Sequence, residues 1–314
     1  MNAHLDHPRA ASETPVGILG AASLVGRPLV DSLQRRGIPV VACSRRPREP
    51  AEADAAGVSW CVPGAADPIG RPVPRWIAVC PLWSVPAQLP WLESLGARSL
   101  VAISSTSVIT KRRSPDARER AIAAHLAEAE EAVTAWATQA AATLCLLRPT
   151  MIYDGITDGN VASIAAFIRR RGWFPVAGPA RGLRQPVHAA DVAAACLAAL
   201  ERSPVPQTVY TLSGREPLPF CDLVAEVFAA CGRRARIVHV PRWLVSVAAP
   251  LVDRTGRGTL AGMAARMNED LSFDHDDAAR DLGFDPRPFA AAAAHITAST
   301  PAAPQPDPLA EAPA

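Results

Sequence analysis

Gly20-Ala21-Ala22-Ser23-Leu24-Val25-Gly26 has the residue types and spacing of a turn that can hold a phosphate. Five of the seven residues are small, so a bound anion can approach the backbone. The turn follows a short apolar run, Val16 to Leu19, and leads into an amphipathic run closed by Gly37. Strand, small-residue turn and helix N-terminus together favour a pyrophosphate through free N–H groups and the helix dipole. Ser23 stands in the middle position of the usual three-glycine pattern, and a purely structural strand–helix turn is the alternative. The next strand ends in Cys43-Ser44-Arg45-Arg46-Pro47, with no acid before Glu49. A site for NAD usually places a carboxylate there for the ribose 2′-hydroxyl; a site for NADP places arginine for the 2′-phosphate. The expected cofactor is therefore NADP, with NAD second, and a solvated basic turn is the bland reading. Its contacts are expected from Gly20, Ala22, Ser23, Leu24, Val25 and Gly26 at the turn, and from Ser44, Arg45 and Arg46 at the adenosine end. Cys80, Pro81 and Ser104, at the ends of later strands, complete the set.

Groups able to move a proton are few. Lys111 is the single lysine of the chain, and Tyr153 and Tyr210 are the two tyrosines. Lys111 follows the expected fifth strand closely, beside Arg112 and Arg113. It could position a ribose or a substrate phosphate, or be a solvated loop lysine. His125 falls on a long Ala/Glu helix, and imidazole is the side chain suited to acid/base work near neutrality; a helix-surface histidine is the alternative. Thr106 stands just past the fifth strand, where its hydroxyl could donate to a developing oxyanion, although it cannot act as a base unaided.

These residues need a frame to hold them, and the apolar runs supply it. Pro39–Cys43, Val58–Val62, Trp76–Cys80, Ser99–Ile103 and Thr143–Leu147 read as strands two to six, separated by helical segments. Helices are expected over about 86–95 and from a Ser114-Pro115 cap to about Gln139. Apolar strands alternating with helices predict an α/β fold with a doubly wound parallel sheet. After Pro149 the rhythm changes. Helices near Val161–Arg170, Asp191–Glu201, Phe220–Cys231, Trp243–Val252 and Gly258–Met267, with a short strand at Val209–Leu212, predict a smaller, mainly helical C-terminal substrate lobe. The expected division is a leader over 1–14, a dinucleotide-binding Rossmann domain over 15–150, an interleaved substrate lobe over 151–296 and a tail over 297–314. The Pro/Ala-rich ends are expected to be disordered.

Composition narrows the class. The chain has 314 residues, 49% hydrophobic and 20% charged, with a net charge of +2. That balance gives no bulk sign of nucleic acid or an acidic membrane as partner. The N-terminus has no apolar core, so no secretory signal is read there and the expected compartment is cytoplasmic. Trp243 to Val252 is too short to span a bilayer, and no membrane insertion is expected. Seven scattered cysteines without a Cys-x-x-Cys pair point to reduced thiols rather than disulfides or metal.

Four motifs in order resemble the extended short-chain dehydrogenase/reductase superfamily, in its NAD-dependent epimerase/dehydratase group. They are the Gly20–Gly26 turn, Ile103-Ser104-Ser105-Thr106, Leu147-Arg148-Pro149-Thr150-Met151-Ile152-Tyr153, and Arg184-Gln185-Pro186-Val187-His188 leading to Asp191. The resemblance spans nearly all of residues 15–290. It implies that Thr106 hydrogen-bonds the reacting oxygen and that Arg184 contacts the diphosphate of a nucleotide-sugar. Met151 and Tyr153 would line the same substrate site. His188 and Asp191 are expected to tie the second lobe to the sheet, with Asp191 as a helix cap. The departures are equally specific. The family's Tyr-x-x-x-Lys pair, in which lysine lowers the tyrosine pKa for proton transfer, is replaced by Ile122 and Leu126 when the helix is registered on Glu130. Met151 stands where the family often has asparagine.

Two readings of different class follow. One is an NAD(P)-dependent oxidoreductase or epimerase acting on a small molecule, a sugar or nucleotide-sugar, with a non-standard acid/base drawn from Thr106, His125 and Lys111. The other is a non-catalytic NADP-binding sensor or assembly protein on the same fold. A homodimer fits either reading.

Overall fold

A computed structural model describes residues 14–45, 57–64, 70–245 and 260–290. Seven parallel strands form the central sheet: β1 (Val16–Leu19), β2 (Val40–Cys43), β3 (Val58–Cys61), β4 (Arg75–Ala78), β5 (Ser99–Ile103), β6 (Thr143–Pro149) and a last strand, Val209–Leu212. The order across the sheet is β3, β2, β1, β4, β5, β6 and then Val209–Leu212. Winding reverses between β1 and β4, and that switch point is where such sheets bind ligands.

Both faces of the sheet are covered, so its strands are apolar on both sides. Ile18, Val40, Ala42, Ile77 and Val101 pack on one face against Leu29 and Leu33 of α1 (Gly26–Arg35) and against the Ala-rich helix Ala189–Glu201. Leu19, Val41, Trp76 and Leu100 pack on the other, against α2 (Leu89–Ser94) and the long α4 (Ala117–Gln139), with the short α3 (Ser107–Thr110) between them in the chain. Gly17 is required here, because a Cβ would lie 2.3 Å from the Trp76 ring.

A third core forms the second lobe. Tyr153 of β7 (Ile152–Tyr153), Ile164 and Ile168 of α5 (Val161–Arg171), and Phe289 pack with Val224, Val227 and Phe228. Around it run β8 (Phe174–Ala177), β9 (Leu183–Arg184), β12 (Leu218–Pro219), α7 (Phe220–Ala230), β13 (Ile237–Val240) and α8 (Leu260–Arg266), while β10 (Val187–His188), α6 (Ala189–Glu201), β11 (Val209–Leu212) and α9 (Asp276–Leu282) pack into the core of the large sheet. The β7–β10 pair stitches this lobe to the end of β6.

Several expected boundaries shift. The segment expected as one helix over 86–95 is a 3₁₀ turn, Pro86–Gln88, followed by α2. Asp116, not Ser114, caps α4, accepting from the Arg118 N–H at 2.9 Å. His188, not Asp191, caps α6: its Nδ1 accepts the Ala190 N–H at 3.2 Å. Asp191 is held by Arg287, whose backbone N–H and Nε donate at 3.0 and 2.9 Å. The helix expected over Trp243–Val252 lies mostly outside the described residues, as do both termini.

Candidate functional site

Between the sheet and the second lobe lies a cleft of about 1000 Å³, at the carboxyl ends of the strands flanking the switch point. Its first wall is the turn after β1. Gly20 adopts φ +85, and a Cβ there would sit 2.8 Å from the Cys80 N. A Cβ on Gly26 would sit 2.3 Å from the Gly20 carbonyl oxygen. Both glycines therefore let the turn fold against β4 and onto itself. The N–H groups of Gly20 and Ala21 both donate to the Cys43 carbonyl, each at 3.1 Å. The Ser23 hydroxyl accepts from the Gly26 N–H at 3.0 Å, closing the start of α1.

The turn turns Ser23, Leu24 and Val25 toward the cleft. Among the described residues, the Leu24 and Val25 N–H groups meet no acceptor. Two amides left open beside a helix N-terminus suit a pyrophosphate, so the residues present fit a dinucleotide. Arg45, Cys80, Pro81 and Ser104 line the same cleft. Gly20, Ala22, Gly26 and Ser44 do not. Gly20 and Gly26 are taken up by packing of the turn, and the Ser44 N–H extends the β2–β3 ladder by donating to the Cys61 carbonyl at 3.0 Å. Arg46 lies outside the described residues.

Further in, the ends of β5 and β6 supply polar groups. Thr106, only 7% exposed, lines the cleft, and both its N–H and its Oγ1 donate to the Pro149 carbonyl, at 3.1 and 3.3 Å. The 3.3 Å bond is long and readily exchanged for a better acceptor. The Ser104 hydroxyl is committed instead to Glu130 Oε1 at 2.5 Å, and Arg148 binds the same carboxylate, its Nε donating at 2.9 Å. That buried Ser104–Glu130–Arg148 network anchors α4 to the sheet, and the carboxylate raises the Arg148 pKa.

Lys111 lines the cleft; its backbone bonds Ser107 and Ser114, but its ammonium makes no hydrogen bond or ion pair among the described residues. Burial, reinforced by Arg266, holds its pKa below the usual lysine value. His125 lies outside the cleft. On α4 the cleft-facing positions are Glu119, Ile122 and Leu126, spaced three and four apart, and His125 falls off that row. Its Nδ1 is buried without a partner.

Among the expected substrate contacts, Met151 and Arg184 line the cleft and Tyr153 does not. The Tyr153 ring is buried edge-on to His188 and Phe289, with centroids 5.3 and 5.1 Å away, and its hydroxyl is unpaired. Burial raises the pKa of that phenol, which makes it a core residue. Arg184 is also largely spent on structure. Its guanidinium donates to the Leu183 and Glu269 carbonyls at 2.6 and 2.8 Å and to the Arg266 carbonyl.

Several lining residues were not anticipated: Glu119, Arg266, Gln185 and Asp158. Arg266 pairs with Glu119, joining α8 to the start of α4 across the cleft. Asp158 is buried with a raised pKa, but its oxygens are taken by the amides of Gly155, Asn160 and Ala162 at 2.8 to 3.1 Å. Gln185 sits beside Arg184 in one of the motifs and could have been read from it. Glu119 and Arg266 are 147 positions apart, and no local pattern links them. Among the described residues no cluster of His, Cys, Asp or Glu could hold a metal ion, and all seven cysteines are free thiols.

No family model and no curated protein sequence matches this chain. Solved structures do. The UDP-N-acetylglucosamine 4-epimerase from Bacillus cereus is 14% identical with a TM-score of 0.65, covering 90% of this chain and 95% of its own. The UDP-glucose 4-epimerase from Thermotoga maritima, solved with UDP-glucose, is 13% identical with a TM-score of 0.65, covering 90% and 97%. A short-chain dehydrogenase/reductase superfamily protein from Agrobacterium tumefaciens, solved with NAD, is 16% identical with a TM-score of 0.62, covering 89% and 94%. This chain shares the fold of these solved epimerases and of the short-chain dehydrogenase/reductase superfamily protein.

Proposed function

We propose that the protein binds a nicotinamide dinucleotide in this cleft and catalyses an oxidoreductase or epimerase reaction on a sugar or nucleotide-sugar. One observation carries the reading: the open Leu24 and Val25 amides, Arg45, Thr106 and Lys111 belong to a single cleft at the switch point. When bound, the nicotinamide supplies a hydride donor or acceptor. The chain's own residues do the rest. The Leu24 and Val25 amides bind the pyrophosphate, and the Arg45 guanidinium favours NADP through its 2′-phosphate. The Thr106 hydroxyl turns from the Pro149 carbonyl to hold the substrate oxygen. Lys111, cleft-facing and with a lowered pKa, gives or takes the proton that the family's tyrosine would otherwise carry. Apolar Ile122 and Leu126 keep water from the reacting carbon.

The same two residues favour the second reading, a cofactor-binding protein without turnover, because they remove the usual proton-transfer pair. Calorimetric titration with NADP(H) and NAD(H), followed by NADPH oxidation assays over nucleotide-sugars and simple carbonyl compounds, separates the two. Turnover that vanishes in Lys111→Met supports catalysis. Tight NADPH binding without turnover on any substrate leaves the sensor or assembly role, and the absence of binding to either cofactor overturns both.

A further inference from the structure

The net charge of +2 conceals a lopsided distribution. Residues 161–190 contain Arg169, Arg170, Arg171, Arg181 and Arg184 but no aspartate or glutamate. Residues 227–245 contain Arg233, Arg234, Arg236 and Arg242, again with no acid. The fold places these two stretches side by side. β8 and β13 pair in parallel, with Phe174 opposite Ile237, and the Phe174 N–H donates to the Arg236 carbonyl at 3.0 Å. An Arg233 Nη reaches the Ile168 carbonyl at 3.2 Å, at the end of α5 where Arg169, Arg170 and Arg171 follow. Six arginines thus share one edge. Arg170, Arg171, Arg234 and Arg236 are exposed and pair with no carboxylate among the described residues.

Exposed apolar side chains lie along the same ribbon. Trp173 (39% exposed) and Val238 (46%) lie on or beside the β8–β13 ribbon, and Trp243 (65%) and Leu244 (42%) on the helical turn just after it. They are four of the seven large hydrophobic residues exposed in the described chain. Guanidinium groups around protruding indole and aliphatic side chains match the interface of an anionic bilayer: the cations meet headgroup phosphates while the apolar groups enter the acyl boundary. A nucleic acid would use the arginines and could stack on the indoles, but it offers nothing to Val238 and Leu244.

We propose that the β8–β13 ribbon and the turn after it are an adsorption surface for anionic phospholipid bilayers. No helix among the described residues is long and apolar enough to cross a membrane, so the attachment is peripheral and reversible. None of the residues named for this surface lines the cleft, apart from Arg184, which is not needed for it. The surface is therefore independent of the cofactor reading.

The test is sedimentation of the full-length protein with vesicles of phosphatidylcholine alone or mixed with phosphatidylserine, at low and high salt. Binding is expected only to the anionic vesicles and is lost at high salt. The triple variant R171A/R234A/R236A should lower the partition coefficient about 100-fold, roughly fivefold per arginine. Trp243→Ser should lower it about fivefold while keeping the salt dependence, and both variants should melt like the parent. Failure to bind anionic vesicles overturns the proposal. So does tighter binding to an oligothymidine that Trp243→Ser leaves unchanged for vesicles, since that assigns the surface to nucleic acid.

Discussion

On the β1 side of the cleft, shape is set by backbone. Two glycines that tolerate no Cβ, a serine capping its own helix and a carbonyl accepting two amides leave a rigid turn with two open N–H groups. On the second-lobe side, shape is set by long side chains. Arg184 ties three carbonyls, and Arg266 meets Glu119 from a distant part of the chain. The first wall can be specified by a handful of adjacent small residues. The second requires charged groups brought together only when the lobe has folded. A wall built from backbone thus faces one built from side chains.

The sharpest way to break this contrast is Gly20→Val. A β-branched side chain at φ +85, with its Cβ 2.8 Å from the Cys80 N, must displace the turn. Cofactor binding should fall more than about 100-fold by calorimetry. If binding survives in a folded variant, the dinucleotide lies elsewhere. Thr106→Val, nearly the same size, gives up a single hydroxyl. It should lower turnover by roughly 10²–10³ with cofactor affinity unchanged, and an unaltered kcat would remove Thr106 from the chemistry. Arg45→Ala should reduce NADP affinity by about ten- to a hundredfold while sparing NAD; equal losses for both would mean that Arg45 does not meet the 2′-phosphate.

The smallest effect concerns Lys111, at the end of α3. Burial lowers the Lys111 pKa below 10.5 in the folded protein, so the unfolded chain holds more protons between the two values. Stability then carries a penalty that is full below the folded pKa and fades as pH rises toward 10.5. Lys111→Met should therefore raise Tm at neutral pH by about 1–2 °C, and the gain should shrink in alkaline buffer. A lower Tm at neutral pH would mean that the ammonium has a stabilising partner.

The same division explains what could be read from sequence. β1, β5 and β11 have the bounds expected from sequence: β1 is buried on both faces and apolar throughout, whereas β11, at the sheet edge, alternates. That the turn, Arg45 and Thr106 line the cleft was legible because each lies at or just past the end of an apolar strand; Lys111 reaches the cleft from the end of α3. Registering α4 on Glu130 also put Ile122 and Leu126 where the cleft is. His125 misled because proximity in sequence says nothing of helix face. Tyr153 misled because its motif ends in the second lobe's core. Arg184 lines the cleft, but two of its three carbonyl partners come from residues 266 and 269, which no local pattern announces.

The Cys43 carbonyl, which receives the N–H groups of both Gly20 and Ala21, terminates β2 two residues before Arg45. The turn after β1 and the end of β2 thus hang from one oxygen atom. If the dinucleotide binds as proposed, contacts at its 2′-phosphate and at its pyrophosphate are coupled through that oxygen. Losses at the two ends of the dinucleotide should consequently not add: once one is crippled, the second has less to lose.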